Sequence, residues 1–393
     1  MMSNHIAFYQ FCSAVRRKGA LALCLALCML GLGLSAPAHE RTIITFDVPA
    51  AGTGAGQGTF PYGIIPDGTI MGWYVDASNV YHGFLRAPDG RITTFDAPGA
   101  GTGAFQGTAW VLGMNPEGAI TGTYVDATDA SHGFIRSRHG TFTTFEAPGA
   151  ATGAGQGTGA GNINPARVIA GDYADVSTAW HGFLRAPDGK FTTFDAPGSG
   201  TGAGQGTHMA TFDALTPAGW FTGNYIDGSN VSHGFLRAPD GTITTFDAPG
   251  AGTGAWQGTY SCGITPAGAI TGAYADGSDV WHSYLRAPHG TFTTFDAPDA
   301  GTGAWQGTFA STINPAGAIT GNYWDASDVA HGFLRAPDGT VTSFDVRGAG
   351  TAAWEGTYPI SNNPAGAITG YYVDTNGASH GFLRSPRRDH DDD

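Results

Sequence analysis

Short runs of alternating apolar and polar residues, separated by turn sequences, fill the chain from residue 42 onward. Within residues 308–345 the runs TFASTIN, AITGNYWD, HGFLRA and TVTSFD are rich in residues that favour strands, and PAG, a five-residue loop and PDG separate them. Such alternation predicts half-buried strands, and Pro-Asp-Gly favours a tight turn because proline presets φ while glycine accepts positive φ. The segment therefore predicts four short antiparallel strands.

This four-strand unit recurs seven times. The motif HGFLR and its variants begin at His82, His132, His181, His233, His282, His331 and His380, in steps of 50, 49, 52, 49, 49 and 49 residues. The motif TTFD and its variants have their aromatic residue at Phe46, Phe95, Phe145, Phe194, Phe246, Phe295 and Phe344. Four strands in about 50 residues are typical of a β-propeller blade. The predicted fold is all-β, a seven-bladed β-propeller with four antiparallel strands per blade.

The two ends of the repeat region complement each other. The region opens on a lone fourth strand, TIITFD at 42–47, and ends on a third strand, HGFLR at 380–384. If the N-terminal strand completes the last blade, the ring closes and no blade is left with three strands. An open solenoid has no reason for complementary ends and usually needs distinct capping repeats.

The motifs HGFLRAPDG and TTFDAPGA resemble the HAF-type repeats of bacterial exported proteins. The resemblance covers residues 42–384, with small departures at Ser283-Tyr284, which replaces Gly-Phe, and at Arg347, which replaces proline. It implies export and a repeat architecture, and it implies no particular chemistry.

The N-terminal segment has the layout of a secretory signal. Arg16, Arg17 and Lys18 precede the apolar run LALCLALCMLGLGLSA, and Ala-Pro-Ala at 36–38 offers small residues for cleavage. The apolar run is shorter than the ~20 residues that cross a membrane. The predicted organisation is a signal peptide at 1–38, the propeller at 39–384 and a charged tail at 385–393. The mature protein is expected to be periplasmic or secreted, with no membrane span.

The net charge argues against two classes of partner. The formal net charge is −14 and becomes −17 once residues 1–38, with three basic and no acidic residues, are removed. Nucleic acid binding needs a basic face, so this class of partner is not expected, and anionic membranes are disfavoured.

Cys262 is the single cysteine after residue 38. We expect it to be a small buried hydrophobic residue in a strand, so that no internal disulfide supports the fold.

The glycine-rich linkers between units are not expected to bind phosphate. Residues 247–259 read DAPGAGTGAWQGT, and the next segment reads as a strand, whereas a dinucleotide loop must open a helix. Glycine and alanine instead allow each linker to pass from the rim of one blade to the axis of the next.

Two linker positions are candidates for ligand binding. The first is almost always an amide and comprises Gln57, Gln106, Gln156, Gln205, Gln257, Gln306 and Glu355. These side chains either satisfy the backbone of their own turn or form a ring at the channel mouth. The preceding position is aromatic in four units, at Phe105, Trp256, Trp305 and Trp354. These rings either pack between blades or form an exposed arc suited to sugar faces or to an apolar partner surface.

An aspartate precedes each repeated histidine by six residues. The pairs are Asp76 with His82, Asp126 with His132, Asp175 with His181, Asp227 with His233, Asp276 with His282, Asp325 with His331 and Asp374 with His380. We expect the intervening hairpin to set each aspartate opposite its histidine. The next hairpin should bring Asp345 to the other side of His331, so that Asp-His-Asp rows form across three strands. The rows are interpreted as hydrogen-bond networks that fix strand register. His and Asp can also bind metal, but seven identical sites are not expected, and no metal or cofactor is predicted.

Catalysis requires unique residues in one place, and nearly every polar candidate here is sevenfold. The departures from sevenfold symmetry are Glu146, Glu355, Arg347, and His208 with Asp213 in the fourth copy. The predicted function is an exported, non-catalytic binding or scaffolding propeller, with a carbohydrate or an extracellular protein as multivalent partner on the linker side. The alternatives are a polysaccharide hydrolase or lyase with carboxylates in the central channel, and a purely structural envelope protein with buried linker aromatics.

Overall fold

The structure is a computed structural model that describes residues 42–210 and 213–386. Within these residues every regular element is a strand, and no helix long and apolar enough to cross a membrane occurs. The predicted signal peptide (1–38) and residues 387–393 of the predicted tail lie outside the described part of the chain.

Twenty-eight strands follow one another along the chain. They are β1 (Ile43–Phe46), β2 (Gly58–Ile64), β3 (Ile70–Val75), β4 (Tyr81–Arg86), β5 (Ile92–Phe95), β6 (Gly107–Met114), β7 (Ile120–Val125), β8 (Ser131–Arg136), β9 (Phe142–Phe145), β10 (Gly157–Ile163), β11 (Ile169–Ala174), β12 (Trp180–Arg185), β13 (Phe191–Phe194), β14 (Gly206–Met209), β15 (Phe221–Ile226), β16 (Ser232–Arg237), β17 (Ile243–Phe246), β18 (Gly258–Ile264), β19 (Ile270–Ala275), β20 (Trp281–Arg286), β21 (Phe292–Phe295), β22 (Gly307–Ile313), β23 (Ile319–Trp324), β24 (Ala330–Arg335), β25 (Val341–Phe344), β26 (Gly356–Asn362), β27 (Ile368–Val373) and β28 (Ser379–Arg384).

The strands form seven four-stranded antiparallel units. The first unit is β2 to β5, the next five continue in order to β25, and the seventh is β26, β27, β28 and β1. The first strand of each unit also pairs in parallel with the third strand of the preceding unit, so that twenty-one inner strands form a closed ring flanked by seven outer strands. This arrangement fits a seven-bladed propeller, and we call the units blades 1 to 7.

The expected closure of the ring is confirmed. Strand β1 pairs antiparallel with β28 in the register Ile43↔Arg384 to Phe46↔Gly381. On the inner side Gly58 of β2 pairs with Ser379 of β28, which joins blade 1 to blade 7. The first described strand therefore supplies the outer edge of the last blade.

A glycine at the start of each first strand forms the backbone bridge to the preceding blade. These glycines have φ between 106° and 120°, and a Cβ atom there would lie 2.0 to 2.2 Å from a carbonyl oxygen of the preceding third strand. They are Gly58, Gly107, Gly157, Gly206, Gly258, Gly307 and Gly356. Neither the space nor the backbone conformation admits another residue. The glycine that follows each linker is therefore required by the contact between blades.

Farther from the axis, cation–π stacks join the blades. The arginine that ends each third strand lies over the phenylalanine that ends the fourth strand of the preceding blade, with 4.4 to 4.9 Å between the guanidinium carbon and the ring centroid. The pairs are Arg86–Phe46, Arg136–Phe95, Arg185–Phe145, Arg237–Phe194, Arg286–Phe246, Arg335–Phe295 and Arg384–Phe344. Each stack contributes about 0.5–2 kcal/mol. The repeated HGFLR and TTFD motifs thus meet across every blade interface.

Blade 4 departs from the repeat. Its 52-residue step places extra chain after β14, which ends at Met209. Asp213 Oδ2 accepts a hydrogen bond from Thr312 Oγ1 of blade 6 at 3.2 Å, and the Asp213 carbonyl accepts one from the Ile264 backbone of blade 5. A residue that reaches two other blades in this way lies in the central channel.

Cys262 is buried in β18, as expected, and burial raises the pKa of its thiol to about 12. The thiolate is therefore not formed near neutral pH, and Cys262 acts as a small core residue.

Replacing a bridging glycine should destabilise the ring. We expect Gly258→Ala to lower the free energy of unfolding by more than about 2 kcal/mol, because its Cβ would lie 2.1 Å from the Ser232 carbonyl oxygen at a φ of 106°. The matched control is Gly277→Ala, since nothing lies within 4 Å of a Cβ there. Chemical denaturation measures both, and equal stability of the two variants would show that the bridges do not hold the blades.

Candidate functional site

The eleven-residue linkers that join the blades lie on one face of the ring, together with the five-residue loops between second and third strands. The linkers join fourth strands to first strands and span residues 47–57, 96–106, 146–156, 195–205, 247–257, 296–306 and 345–355. The loops between second and third strands span residues 76–80, 126–130, 175–179, 227–231, 276–280, 325–329 and 374–378. Linkers and loops hydrogen-bond to each other, for example from Gly56 to the Gly377 carbonyl at 2.9 Å. We call the surface that they form the linker face.

The linker glutamines hold the linkers to these loops. In all six, Oε1 accepts a hydrogen bond at 2.8 to 3.1 Å from the backbone N–H three residues earlier. Nε2 donates to the loop of the same blade, for example from Gln257 to Asp279 Oδ1 at 2.8 Å. In the last linker Glu355 accepts from Ala352 N–H, and the facing loop carries Gly377 instead of an acceptor side chain. These hydrogen bonds therefore stabilise the linkers and loops. A role of these glutamines and of Glu355 in ligand binding stays a prediction.

The linker aromatics lie at the boundaries between blades. The backbone N–H of each donates at 2.7 to 2.8 Å to a loop carbonyl of the preceding blade, and the pairs are Phe105 to Asn79, Trp256 to Asn230, Trp305 to Asp279 and Trp354 to Asp328. We call each boundary on the linker face a groove. The aromatic grooves lie between blades 1 and 2, 4 and 5, 5 and 6, and 6 and 7.

The four linker aromatics differ in solvent exposure. Phe105 is 50% exposed and Trp256 is 46% exposed. Trp305 and Trp354 are half-buried. Their rings pack against Trp281 and Trp324, with centroid distances of 6.3 and 6.0 Å. The sequence did not reveal this difference, because the covering tryptophans belong to other strands.

An Asp-His-Asp or Glu-His-Asp row crosses every blade. The histidine Nδ1 lies 2.5 to 3.0 Å from the carboxylate that follows the fourth strand, and Nε2 lies 3.1 to 3.6 Å from the loop aspartate. The carboxylates that follow the fourth strands are Asp47, Asp96, Glu146, Asp195, Asp247, Asp296 and Asp345. The last row closes through Asp47 and His380, 333 residues apart. The expected rows are therefore present in all seven blades.

One detail of the expected register is wrong. The residue opposite each histidine on the second strand is a tyrosine, as in Tyr74↔His82, and its ring stacks on the imidazole at 4.8 to 5.1 Å. The aspartate lies two residues farther on, in the loop. There Asp76 Oδ1 accepts hydrogen bonds from the backbone N–H groups of Ser78 and Val80. The loop aspartate therefore caps its loop as well as facing the histidine.

Carboxylates raise the pKa of the row histidine in blades 1 and 2. A hydrogen bond to Asp96 raises the pKa of His82, and one to Glu146 raises the pKa of His132, although partial burial opposes both shifts. Partial burial would raise the pKa of Asp126, but hydrogen bonds from Thr128, Ala130 and His132 outweigh it and lower the pKa to about 2. The rows of His82 and His132 therefore favour the charged imidazolium between two carboxylates.

The described residues contain no group of three or more His, Cys, Asp or Glu side chains arranged to hold a metal ion. Within residues 42–210 and 213–386 no ion pair joins Glu355 to Arg347.

Two symmetry-breaking groups lie inside the ring. Asp213 is exposed to solvent, and its Oδ2 accepts a hydrogen bond from Thr312 Oγ1 at 3.2 Å. The His208 Nδ1 atom lies 4.0 Å from Oδ2 of buried Asp172. A cavity of about 20 Å³ beside Asp172 and Trp180 has room for about one water molecule.

Comparisons with known proteins support the fold. No family model and no curated protein sequence matches the chain. Among solved structures, BP39L lectin from Burkholderia pseudomallei is similar with a TM-score of 0.55, 10% identity, and coverage of 83% of this chain and 96% of the lectin. A prolyl endopeptidase has a TM-score of 0.52 and 10% identity, and the match covers 82% of this chain and 47% of the endopeptidase. Puromycin hydrolase has a TM-score of 0.49 and 12% identity, and the match covers 81% of this chain and 51% of the hydrolase. The chain thus spans about half the length of the latter two proteins. At such identities the similarity shows a propeller-like fold alone.

The histidine rows predict how stability depends on pH. A raised folded-state pKa means that the contribution of His82 and His132 is complete below the unfolded value of about 6.5 and is lost as the pH rises through the folded-state value. The lowered pKa of Asp126 means that its contribution is complete above about pH 4 and is lost as the pH falls to about 2. We therefore expect the highest stability between about pH 4 and pH 6.5.

Thermal denaturation across pH measures this dependence. Replacing His82 and His132 with asparagine should flatten the alkaline decline, whereas His139→Asn, in an exposed turn, should leave it unchanged. If His139→Asn flattened the alkaline decline as much as replacement of His82 and His132 did, the assignment of this decline to the histidine rows would be wrong.

Proposed function

We propose that this chain is an exported, non-catalytic seven-bladed binding propeller whose linker face holds an extended carbohydrate in the grooves between blades. The observation that carries the proposal is the backbone conformation of Phe105, Trp256, Trp305 and Trp354, whose φ values are 66° to 69°. This left-handed conformation costs an L-residue about 1–2 kcal/mol and costs glycine little. The equivalent residues Gly56, Gly155 and Gly204 have φ values of 72° to 80°. The fold therefore accepts glycine here, and the aromatic rings serve another purpose.

Aromatic rings at a groove mouth suit carbohydrates because the apolar face of a sugar ring stacks on them. Phe105 and Trp256 offer about half of their surface to solvent. Trp256, Trp305 and Trp354 occupy three consecutive grooves. A polymer that runs along this arc meets repeated weak sites on one rigid ring, and linked weak sites bind a polymer far more tightly than one site does.

Export is supported by the sequence of residues 1–38 and by the resemblance to HAF-type repeats. The fold is compatible with an extracytoplasmic location without disulfides. The bridge between Gly58 and Ser379 closes the ring, β1 completes the last blade by pairing with β28, and buried Cys262 needs no partner.

The hydrolase or lyase alternative rests on the channel carboxyl of Asp213. Glycoside hydrolysis generally uses two carboxyl groups that flank the scissile bond. The hydrogen-bond partner of Asp213 is Thr312. The purely structural alternative expects buried linker aromatics, and the exposure of Phe105 and Trp256 argues against it. Carbohydrate binding on the linker face is therefore the function that the geometry supports best.

A glycan array followed by calorimetry with a neutral polysaccharide tests the proposal. We expect Phe105→Gly with Trp256→Gly to weaken polysaccharide binding at least tenfold, while the melting temperature stays equal or rises because glycine relieves the strained conformation. Trp220→Ala is the matched control, since Trp220 is 40% exposed and lies next to a turn of the opposite face.

The array would overturn the proposal if no glycan bound. Undiminished binding after all four linker aromatics were replaced with glycine would also overturn it. Loss of binding in the Trp220 control would show that the opposite face is the binding surface.

A further inference from the structure

The two faces of the ring differ strongly in charge. Among the described residues, the linker face carries seven loop aspartates, seven carboxylates that follow the fourth strands, and five more at Asp129, Asp279, Asp299, Asp328 and Glu355. Arg347 is the single arginine or lysine in these linkers and loops. The other described basic residues are the seven stacked arginines at the opposite ends of the third strands and Arg91, Arg138, Arg167 and Lys190 in or beside the short turns. The acidic excess is therefore concentrated on one side.

Protonation of the histidine rows would not cancel this excess. If all seven row histidines were charged, the nineteen carboxylates would still exceed the seven imidazoliums and Arg347 by eleven charges. The carboxylates that follow the fourth strands keep 46% to 56% of their side-chain surface exposed. The field of this face therefore extends into solvent, where it attracts cations within about 10 Å.

Carboxylates alone would attract any cation, and the aromatic rings are an independent observation that narrows the ligand. The backbone N–H of Trp305 bonds to the Asp279 carbonyl, and that of Trp354 bonds to the Asp328 carbonyl, so each of these grooves contains a half-buried tryptophan and an aspartate on adjoining backbone. An indole face attracts an ammonium group and also stacks on a sugar ring. One unit of an amino sugar carries both features.

We propose that the ligand of the linker face is a polymer of amino sugars with free ammonium groups, whose sugar rings lie on the groove aromatics while the ammonium groups face the carboxylates. This inference rests on the proposed carbohydrate function and names its ligand class. Repeated cationic units match a ring of repeated acidic grooves, and the attraction accelerates encounter and weakens with salt.

Two aspartates can lose their charge without disturbing the linker. Asp279 and Asp328 accept hydrogen bonds from Gln257 and Gln306. At the equivalent positions Asn79 and Asn230 accept the same bonds from Gln57 and Gln205, at 3.0 Å. Asparagine is therefore already used by the fold at this position, and Asp279→Asn with Asp328→Asn removes two charges beside the tryptophans while keeping the acceptors.

Calorimetry with a fully deacetylated chitosan hexamer and a fully acetylated chitin hexamer tests the inference. We expect the deacetylated hexamer to bind at least tenfold more tightly, and its affinity to fall as salt rises from 50 to 300 mM. The Asp279→Asn, Asp328→Asn variant should lose part of that preference and keep its affinity for the chitin hexamer. Asp240→Asn, in an exposed turn of the opposite face, is the matched control and should change neither affinity.

Equal affinity for the two hexamers would overturn the inference. If hexalysine bound as tightly as the chitosan hexamer, the ligand would be a general polycation and the assignment to amino sugars would be wrong. Binding of neutral glycans that depends on Phe105 and Trp256 but shows no preference for amines would overturn this inference alone and leave the proposed carbohydrate function standing.

Discussion

The close backbone approach between neighbouring blades is the constraint on which the rest of the structure depends. At each of seven interfaces a glycine with positive φ lets the first strand of one blade bond to the third strand of the blade before it. A single methyl group would collide with a carbonyl oxygen. Because these bridges join all blades, twenty-one strands form one hydrogen-bonded ring, and only the outer strands have free edges. The arginine–phenylalanine stacks then complete the same interfaces nearer the rim.

Most of the repeated polar side chains maintain this architecture. Glutamine ties each linker to its loop, the loop aspartate caps the loop backbone, and the histidine is held between two carboxylates under a tyrosine ring. Such groups are satisfied within the blade that carries them. Positions that vary between repeats are therefore better indicators of function, since the ring does not need a particular residue there. The position of Trp256, occupied by glycine in three other repeats, is the clearest example.

Shape and charge act together on the linker face. Closure of the ring gathers the seven linkers and the seven loops between second and third strands on one side, so seven acidic rows and four aromatic residues share one surface although they are spread over more than 300 residues of chain. The short turns and the stacked arginines lie toward the other side. A ring with this polarity presents one surface with repeated features, and the proposed carbohydrate binding would use both its aromatic and its acidic character.

The sequence by itself determined the number of units, the four strands in each, and the pairing of β1 with β28, because these features follow from local alternation, turn residues and the spacing of two motifs. Tertiary structure alone decided the stacking of Tyr74 on His82, since a two-residue shift in the hairpin is invisible in motif spacing. It also decided that Phe105 is exposed while Trp305 is half-buried against Trp281. The contact of Asp213 with Thr312 joins residues 99 apart. Exposure and channel contacts depend on neighbours brought together by ring closure, and no local pattern encodes them.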